Sequence, residues 1–317
     1  MSVTETNIAH DPRIRVDADA LRRLGPQARH LSFLPRQPAA SVLNGRHASK
    51  LRGRGLNFEE LRTYVDGDDI RTIDWKVTAR TQQPHVRVYT EERDRPTLLL
   101  VDQRMSMYFG SRVYMKSVVA AEAAALAAHR VLAQGDRVGG LVFGDTVVAE
   151  HRPQRSRKAL NQLLNSIGKA NGLLNADAPA SGADALNRVL RAALRIAKSN
   201  ALILLFSDLD GIDAQTEKLI ATLSRANDLI VFNVSDFMVD GMPEDLKLTV
   251  TDGGLQAELN TDHTLPRQRI EEFLKDRVAK AETWSRKYGF PLLLLSTQEP
   301  ALEQIMRLMG HQRVLQR

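Results

Sequence analysis

The sequence predicts a mixed α/β domain for most of the chain: a mostly parallel sheet with helices on both faces, in three layers, behind an irregular N-terminal extension. Three observations predict it. Short continuous apolar runs, TLLLVD from Thr97, ALILLFSD from Ala201 and LIVFNVSD from Leu229, have the length and composition of strands buried on both faces. Segments of ten or more helix-forming residues lie between them, the alternation that makes a sheet parallel. The first two runs end in Asp102 and Asp208, and the third reaches Asp236. In such sheets the loops after the strands gather at one edge and build the site.

The elements follow in order. Residues 1–30 are polar and read as loosely ordered, with a short helical piece near Asp19–Leu24. Residues 31–95 form the extension, rich in Arg and Gly, where His85–Glu91 (HVRVYTE) alternates as a half-buried strand does. The domain proper spans 96–317. After TLLLVD comes an alanine-rich helix, Lys116–Leu132, then a turn at Gly135-Asp136 and two strands, VGGLVF and TVVAEH. Arg155–Ile167, Ala183–Lys198 and Ala214–Ala226 read as helices between the remaining core strands. Residues 240–262 read as a hairpin insertion around Asp252-Gly253-Gly254. Thr264–Tyr288 is a long charged helix, PLLLLST a last strand and Glu299–Met309 a closing helix.

Composition removes several function classes. The chain has 317 residues, 43% hydrophobic and 26% charged, with aromatics only 5%, so the core must be aliphatic. Without cysteine there can be no disulfide, thiolate metal site or cysteine nucleophile. The N-terminus lacks a signal-like apolar core and every apolar run is strand-sized, so no membrane span and a cytoplasmic protein are expected. The formal net charge is +6, but the densest basic cluster, Arg46, His47, Lys50, Arg52 and Arg54, has no interleaved aromatics. A nucleic-acid partner is therefore not expected. HExxH, GxxxxGK[ST] and GxSxG are absent, so any nucleotide hydrolysis is left to a partner.

Two segments carry the candidate site residues. In GDDIRTIDWKVTAR from Gly67, Asp68, Asp69, Arg71, Asp74 and Arg80 crowd one short stretch around Trp75. The expected arrangement is structural: turn chemistry at Gly67-Asp68, Asp69 and Asp74 paired with Arg71 and Arg80, and Trp75 packing the segment onto the main domain. The same block could instead be a recognition surface. In the second segment, Asp102 ends a strand, Arg104 stands two residues on and Ser106 four.

The alternation, the Asp102-x-x-x-Ser106 loop and the later Ser207-Asp208 resemble a von Willebrand factor A-type domain. The preceding block is more specific. Arg52-Gly53-Arg54-Gly55, Phe58, Leu61-Arg62, Tyr64, Gly67-Asp68-Asp69, Arg71, Ile73-Asp74-Trp75, Ala79-Arg80 and Glu91-Glu92 resemble the bacterial family called domain of unknown function 58, from about Arg46 onward. The resemblance implies a non-catalytic interaction module. Its implied partners are a MoxR-type AAA+ ATPase, often encoded beside such proteins, and an unknown client protein in assembly of another complex.

The fold resemblance also implies a metal-dependent adhesion site, for which this chain is degenerate. Asp102, Ser106 and Asp208 match its oxygen ligands; Arg104 stands where a serine belongs, and Ala183 in SGADAL where a threonine belongs. Two oxygen ligands are missing and a permanent cation is added. No cofactor is expected, beyond weak Mg²⁺ at most. The expected binding edge holds Asp102, Arg104, Ser106, Asp184 and Asp208, with the 67–80 block. The rival reading is a Mg²⁺-dependent phosphoryl-transfer hydrolase: Asp208-Leu209-Asp210-Gly211 resembles the nucleophile loop of haloacid dehalogenase-like phosphatases, which implies that the first Asp attacks phosphorus and the second serves as acid and base. Ile212 departs from that pattern.

Overall fold

The computed structural model describes residues 11–31, 56–66, 68–91, 95–144, 148–175, 184–236, 247–251, 256–260 and 264–309. The chain divides into two compact units, Met1–Pro35 with Arg95–Arg317, and Arg36–Asp94.

The larger unit begins with helix α1 (Ala18–Arg23), capped by the Asp17 carboxylate, which accepts from the Ala20 N–H at 2.7 Å. Val16, Leu21, Ala28 and Leu31 are buried in the main core, and the Asn171 side chain accepts from the Val16 N–H at 2.9 Å. This corrects the loosely ordered reading for residues 11–30; residues 1–10 lie outside the described residues. Single apolar residues spaced this sparsely leave no periodic signal, yet each fills its own site.

In the smaller unit, β1 (Leu56–Thr63) pairs antiparallel with β2 (His85–Glu91), and α2 (Trp75–Thr81) lies between them in sequence. The sequence reading gave β2 but neither β1 nor α2. A register shift between Phe58 and Glu60 breaks the period-two pattern of β1. Helix α2 is too short to show an apolar stripe and depends on its cap: Asp74 accepts from the N–H groups of Lys76 and Val77 at 3.0 and 3.2 Å.

The larger unit is built on a six-stranded sheet. Its strands are β3 (Pro96–Asp102), β4 (Arg137–Phe143), β5 (Val148–Gln154), β6 (Leu202–Ser207), β7 (Asp228–Ser235) and β10 (Leu292–Ser296), in the order β10-β7-β6-β3-β4-β5. All neighbours are parallel except β5, which runs antiparallel to β4 at one edge. Strands β8 (Lys247–Thr251) and β9 (Gln256–Asn260) pair with each other as a separate sheet. The turn expected at 252–254 lies outside the described residues.

Side chains of each central strand alternate between two cores. Leu99, Val101, Leu204 and Phe206 face one, together with α3 (Lys116–Ala133) and α4 (Arg157–Gly172). Leu98, Leu100, Ile203 and Leu205 face the other, with α5 (Ala185–Ile196), α6 (Ala214–Ala226) and the end of α7 (Thr264–Tyr288), where Ala281 and Trp284 are buried. Helix α8 (Ala301–Met309) closes the first face. Phe206 and Phe232 stack at 4.6 Å between ring centroids. Helix α3 is buried nearly all round, because its alanines let it lie flat on β3, β4, β6, β7 and β10. Helix α4 starts later than expected, at the Ser156 cap, whose hydroxyl accepts from the Lys158 N–H at 3.2 Å. Among the described residues no helix is long and apolar enough to cross a membrane.

One carboxyl sits awkwardly in this packing. Glu122 of α3 is pushed by burial from 4.5 up to about 7, against the Ala301 N–H, which favours its charged form. A raised carboxyl stabilises the fold below the unfolded value and loses that contribution as pH rises from 4.5 to about 7. Glu122→Gln is therefore expected to stabilise the protein by up to about 3 kcal/mol at slightly alkaline pH and by little under acid conditions, near the unfolded value. Urea unfolding across that range checks it; a gain that did not vary with pH would refute the titration argument.

Candidate functional site

The candidate centre forms where β3 and β6 end side by side. Asp102 is the last residue of β3, and Gln103 continues the ladder by donating its N–H to the Phe143 carbonyl at 2.7 Å. The chain then turns through a 3-10 segment, Met105–Met107, with Arg104 at its head. Beyond β6, Asp208 is followed by Leu209 in the left-handed region at φ 56°. That conformation is costly for leucine. Here it is held by the Ser207 hydroxyl, which accepts the Leu209 N–H at 3.0 Å, and by Asp208, which accepts the Asp210 N–H at 3.0 Å.

Arg104 ties the two loops together and is among the largest fully buried side chains, 1% exposed. Its Nε donates to both oxygens of Asp102 at 3.0 and 3.1 Å, and a terminal nitrogen donates to Asp102 Oδ2 at 2.7 Å. The other terminal nitrogen donates to the Asp210 carbonyl at 3.1 Å. Asp208 Oδ1 lies 3.6 Å from the guanidinium, and Phe143 lies beneath it, 5.7 Å from the ring centroid. The fork geometry of a guanidinium is what allows one side chain to serve both loops.

Asp208 has its own cation. Lys116, the first residue of α3, donates to Asp208 Oδ2 at 2.6 Å, and Ser106 donates to Oδ1 at 3.3 Å. The Ser207 hydroxyl donates to Asp102 Oδ2 at 2.6 Å. Arg277 of α7 reaches the loop from outside and donates to Asp210 Oδ1 at 2.8 Å. The two carboxylates feel opposite pulls. Burial pushes the Asp102 carboxyl up, aided by nearby Asp208 and opposed by Arg104 and the Ser207 hydroxyl. Burial also works on Asp208, but Lys116, Arg277 and Arg104 overcome it and hold that carboxyl well below the usual range. Asp102 in turn pulls Arg104 up, against the burial that favours its neutral form.

These residues do not fit a resident divalent ion. Both carboxylates already hold buried cations at hydrogen-bond distance, and the described residues contain no group of three or more His, Asp or Glu placed to hold a metal. Ala183 lies outside the described residues. Asp184 is exposed and pairs with Arg191 of its own helix at 3.2 Å, rather than joining the buried cluster. Thus Asp102, Arg104, Ser106 and Asp208 come together as the sequence suggested. Lys116 and Arg277 were missed. Lys116 had a signal: a cation in the first turn of an apolar helix opposes the helix dipole, so it should have a buried acid to meet. Arg277 had none, being one charge among many on α7.

In the smaller unit the expected pairings are corrected. Asp68 pairs with Arg62, both contacts at 2.7 Å, and that guanidinium holds its carboxyl below the usual range. Asp69 accepts from the backbone N–H of Arg71 at 2.9 Å, capping the 3-10 turn Ile70–Thr72, rather than pairing with the Arg71 side chain. Asp74 pairs with Arg87 instead of Arg80, at 2.7 and 2.8 Å, and Arg87 holds its carboxyl down. Strand pairing brings Arg87 near, while Arg80 is exposed in the last turn of α2. Within the smaller unit Trp75 stands out from the surface, 69% exposed, with Val65 and Ile70 also exposed. Gly67 lies outside the described residues.

Among known proteins, the chain is 28% identical over 309 residues to the uncharacterized protein Rv1480 of Mycobacterium tuberculosis, covering 96% of this chain and 95% of that protein. The same figures hold for the uncharacterized protein Mb1516 of Mycobacterium bovis. Among solved structures, it is similar to the conserved hypothetical protein BatB from Bacteroides thetaiotaomicron, with a TM-score of 0.39 and 12% identity over 66% of this chain and 93% of that one. An aerotolerance-related membrane protein from Bacteroides fragilis gives a TM-score of 0.36 and 10% identity over 67% and 96%. The family model described as "Protein of unknown function DUF58" matches residues 60–280, and the chain belongs to that family.

Proposed function

We propose that the chain is a non-catalytic interaction module of von Willebrand factor A-like type, working in the cytoplasm with a MoxR-type AAA+ ATPase in the assembly or maturation of a client complex. The observation that carries this reading is the state of the carboxylate centre. Asp102 and Asp208 are buried, their oxygens are engaged, and buried cations neutralise them from inside. A centre of this kind fixes the shape of a loop edge and offers no reachable nucleophile. The rival reading, phosphoryl transfer by Asp208 and Asp210, needs Asp208 open to a phosphorus atom. At 2% exposure, with Oδ2 held by Lys116, it is not so placed.

The smaller unit supplies the surface a partner would use. An exposed tryptophan with exposed aliphatic neighbours in sequence is the kind of anchor that dominates protein interfaces. Trp75→Ala is expected to change stability by less than about 0.5 kcal/mol, because a side chain this exposed has little burial to lose. It is expected to weaken partner capture at least tenfold. The test is co-purification of the full chain, wild type and Trp75→Ala, with a MoxR-type ATPase of the same genome, with ATP, ADP or no nucleotide. No complex under any nucleotide condition would overturn the proposal. So would Mg²⁺-dependent phosphatase turnover that disappears in Asp208→Asn.

A further inference from the structure

At the opposite end of the strands lies a second site, distinct from the carboxylate centre. Strand β3 starts at Pro96 and ends at Asp102, six steps of ~3.3 Å, so the two ends stand about 20 Å apart. Around Pro96 opens a cleft of about 620 Å³, within the size range of small-molecule sites, roughly 300–1,000 Å³. Among the described residues its walls carry Arg137, Arg152, Arg195 and Lys198, with Glu150 the one carboxylate among them. Arg152, Arg195 and Lys198 are exposed to solvent, and Glu150 stands 3.9 Å from Arg152, too loose a pair to neutralise the cleft.

The chain reaches this arrangement by a specific device. The β4–β5 ladder shifts register between Val138 and Gly140, so the β5 backbone bulges over Gly139. A Cβ at Gly139 would stand 2.4 Å from the His151 carbonyl oxygen and 2.5 Å from the Pro153 nitrogen, so only glycine admits this approach. Pro153 removes a backbone donor on the edge strand at the bulge. The bulge brings Arg152 into the cleft wall beside Arg137 of β4. Arg195 and Lys198 come from the last turn of α5 and just beyond it. A cation at a helix C-terminus is explained by the dipole alone. That explanation does not reach Arg152, which comes from the sheet.

We infer that this cleft binds a small phosphoanion carrying two or more phosphoryl groups. The exposed guanidinium forks of Arg152 and Arg195 match phosphate oxygens in pairs, and the Lys198 ammonium adds a point charge. Concavity favours a compact ligand over a polymer backbone. Pro96, Pro153 and Ile196 give the cleft an apolar wall that an attached ring can cover.

The experiment is calorimetric titration of the full chain with inorganic tripolyphosphate and with ADP, at low and at moderate salt. Wild type is expected to bind at least one probe saturably in the micromolar range. Arg195→Glu and Lys198→Glu, both at exposed positions, are each expected to weaken binding tenfold or more. Lys158→Glu on α4, outside the cleft, is expected to change it less than twofold. Tighter binding of ADP than of tripolyphosphate would assign the apolar wall to a base; the reverse order would assign the cleft to the phosphate chain alone. Absence of saturable binding by both probes below millimolar would overturn the inference. An equal loss in Lys158→Glu would overturn it too, by reducing binding to general charge. So would a preference for a long oligothymidylate that grows with its length, which would make the cleft part of a nucleic-acid track.

Discussion

Arg104→Ser is expected to destabilise the protein by about 3–5 kcal/mol near neutral pH, because it strands Asp102 as a buried carboxylate without its cation. The guanidinium makes three contacts to Asp102 and one to the Asp210 carbonyl, so its loss also frees the loop after β6. Part of the loss would come from the emptied volume over Phe143. Two controls separate charge from volume. Arg104→Met keeps most of the bulk but should still lose several kcal/mol, whereas Asp102→Asn combined with Arg104→Met removes both charges and should recover most of the loss. Arg104→Ser is also expected to gain thermal stability from millimolar Mg²⁺ where wild type does not. The variant presents two serine hydroxyls and two carboxylates of the kind a hard cation prefers, and a ligand that binds only the folded state raises its melting temperature. Thermal melts with and without Mg²⁺ test this. A variant as stable as wild type would show that Asp102 does not need the cation, and a variant blind to Mg²⁺ would show that Arg104 does not stand in for one.

How much of this was legible beforehand depends on what each residue's partner was. The alternation of apolar runs with helices placed the sheet, and helices α6 and α7 fall where the periodicity put them. Asp102 and Asp208 were legible because strand ends in a parallel sheet must meet at one edge. Their partner Arg104 was legible because it lies two residues along the same loop. Pairings with distant elements were not, even where, as at Lys116, the sequence marks a cation in need of some acid. Nothing near Asp208 in sequence points to Lys116, 92 residues earlier. Nothing near Asp74 distinguishes Arg87 from Arg80, since the choice is made by β1 and β2 pairing. Trp75 poses a related choice. A tryptophan next to a helix cap reads as an anchor, and whether it anchors its own chain or a partner is decided by tertiary placement. The cleft around Arg137 and Arg195 was invisible, because it depends on a bulge that a sequence pattern does not record.

Lys116→Met is expected to cost about 3–5 kcal/mol near neutral pH, and its cost should fall on acidification. The ammonium is the nearest cation to Asp208, at 2.6 Å, with Arg104 at 3.6 Å from the other oxygen. In wild type the Asp208 carboxyl is held below its unfolded value. It therefore contributes stability above about pH 4 and loses it only as pH falls further, through that depressed value. Without Lys116 the largest charge opposing burial is gone, and the folded-state value moves upward although Arg277 and Arg104 remain. Asp208 then contributes less stability at neutral pH, and the difference from wild type closes as the carboxyl takes up a proton. The deficit between variant and wild type should thus be largest near neutrality and shrink toward about pH 4. Urea unfolding of both proteins at several pH values measures it. Methionine preserves the length of the side chain over Phe109, so packing alone predicts a small deficit that does not depend on pH. The double variant with Asp208→Asn supplies the last discrimination. If the ammonium matters through the carboxylate, the double variant is more stable than Lys116→Met alone at neutral pH; if the two losses simply add, the pairing of β6 to α3 through this charge is refuted.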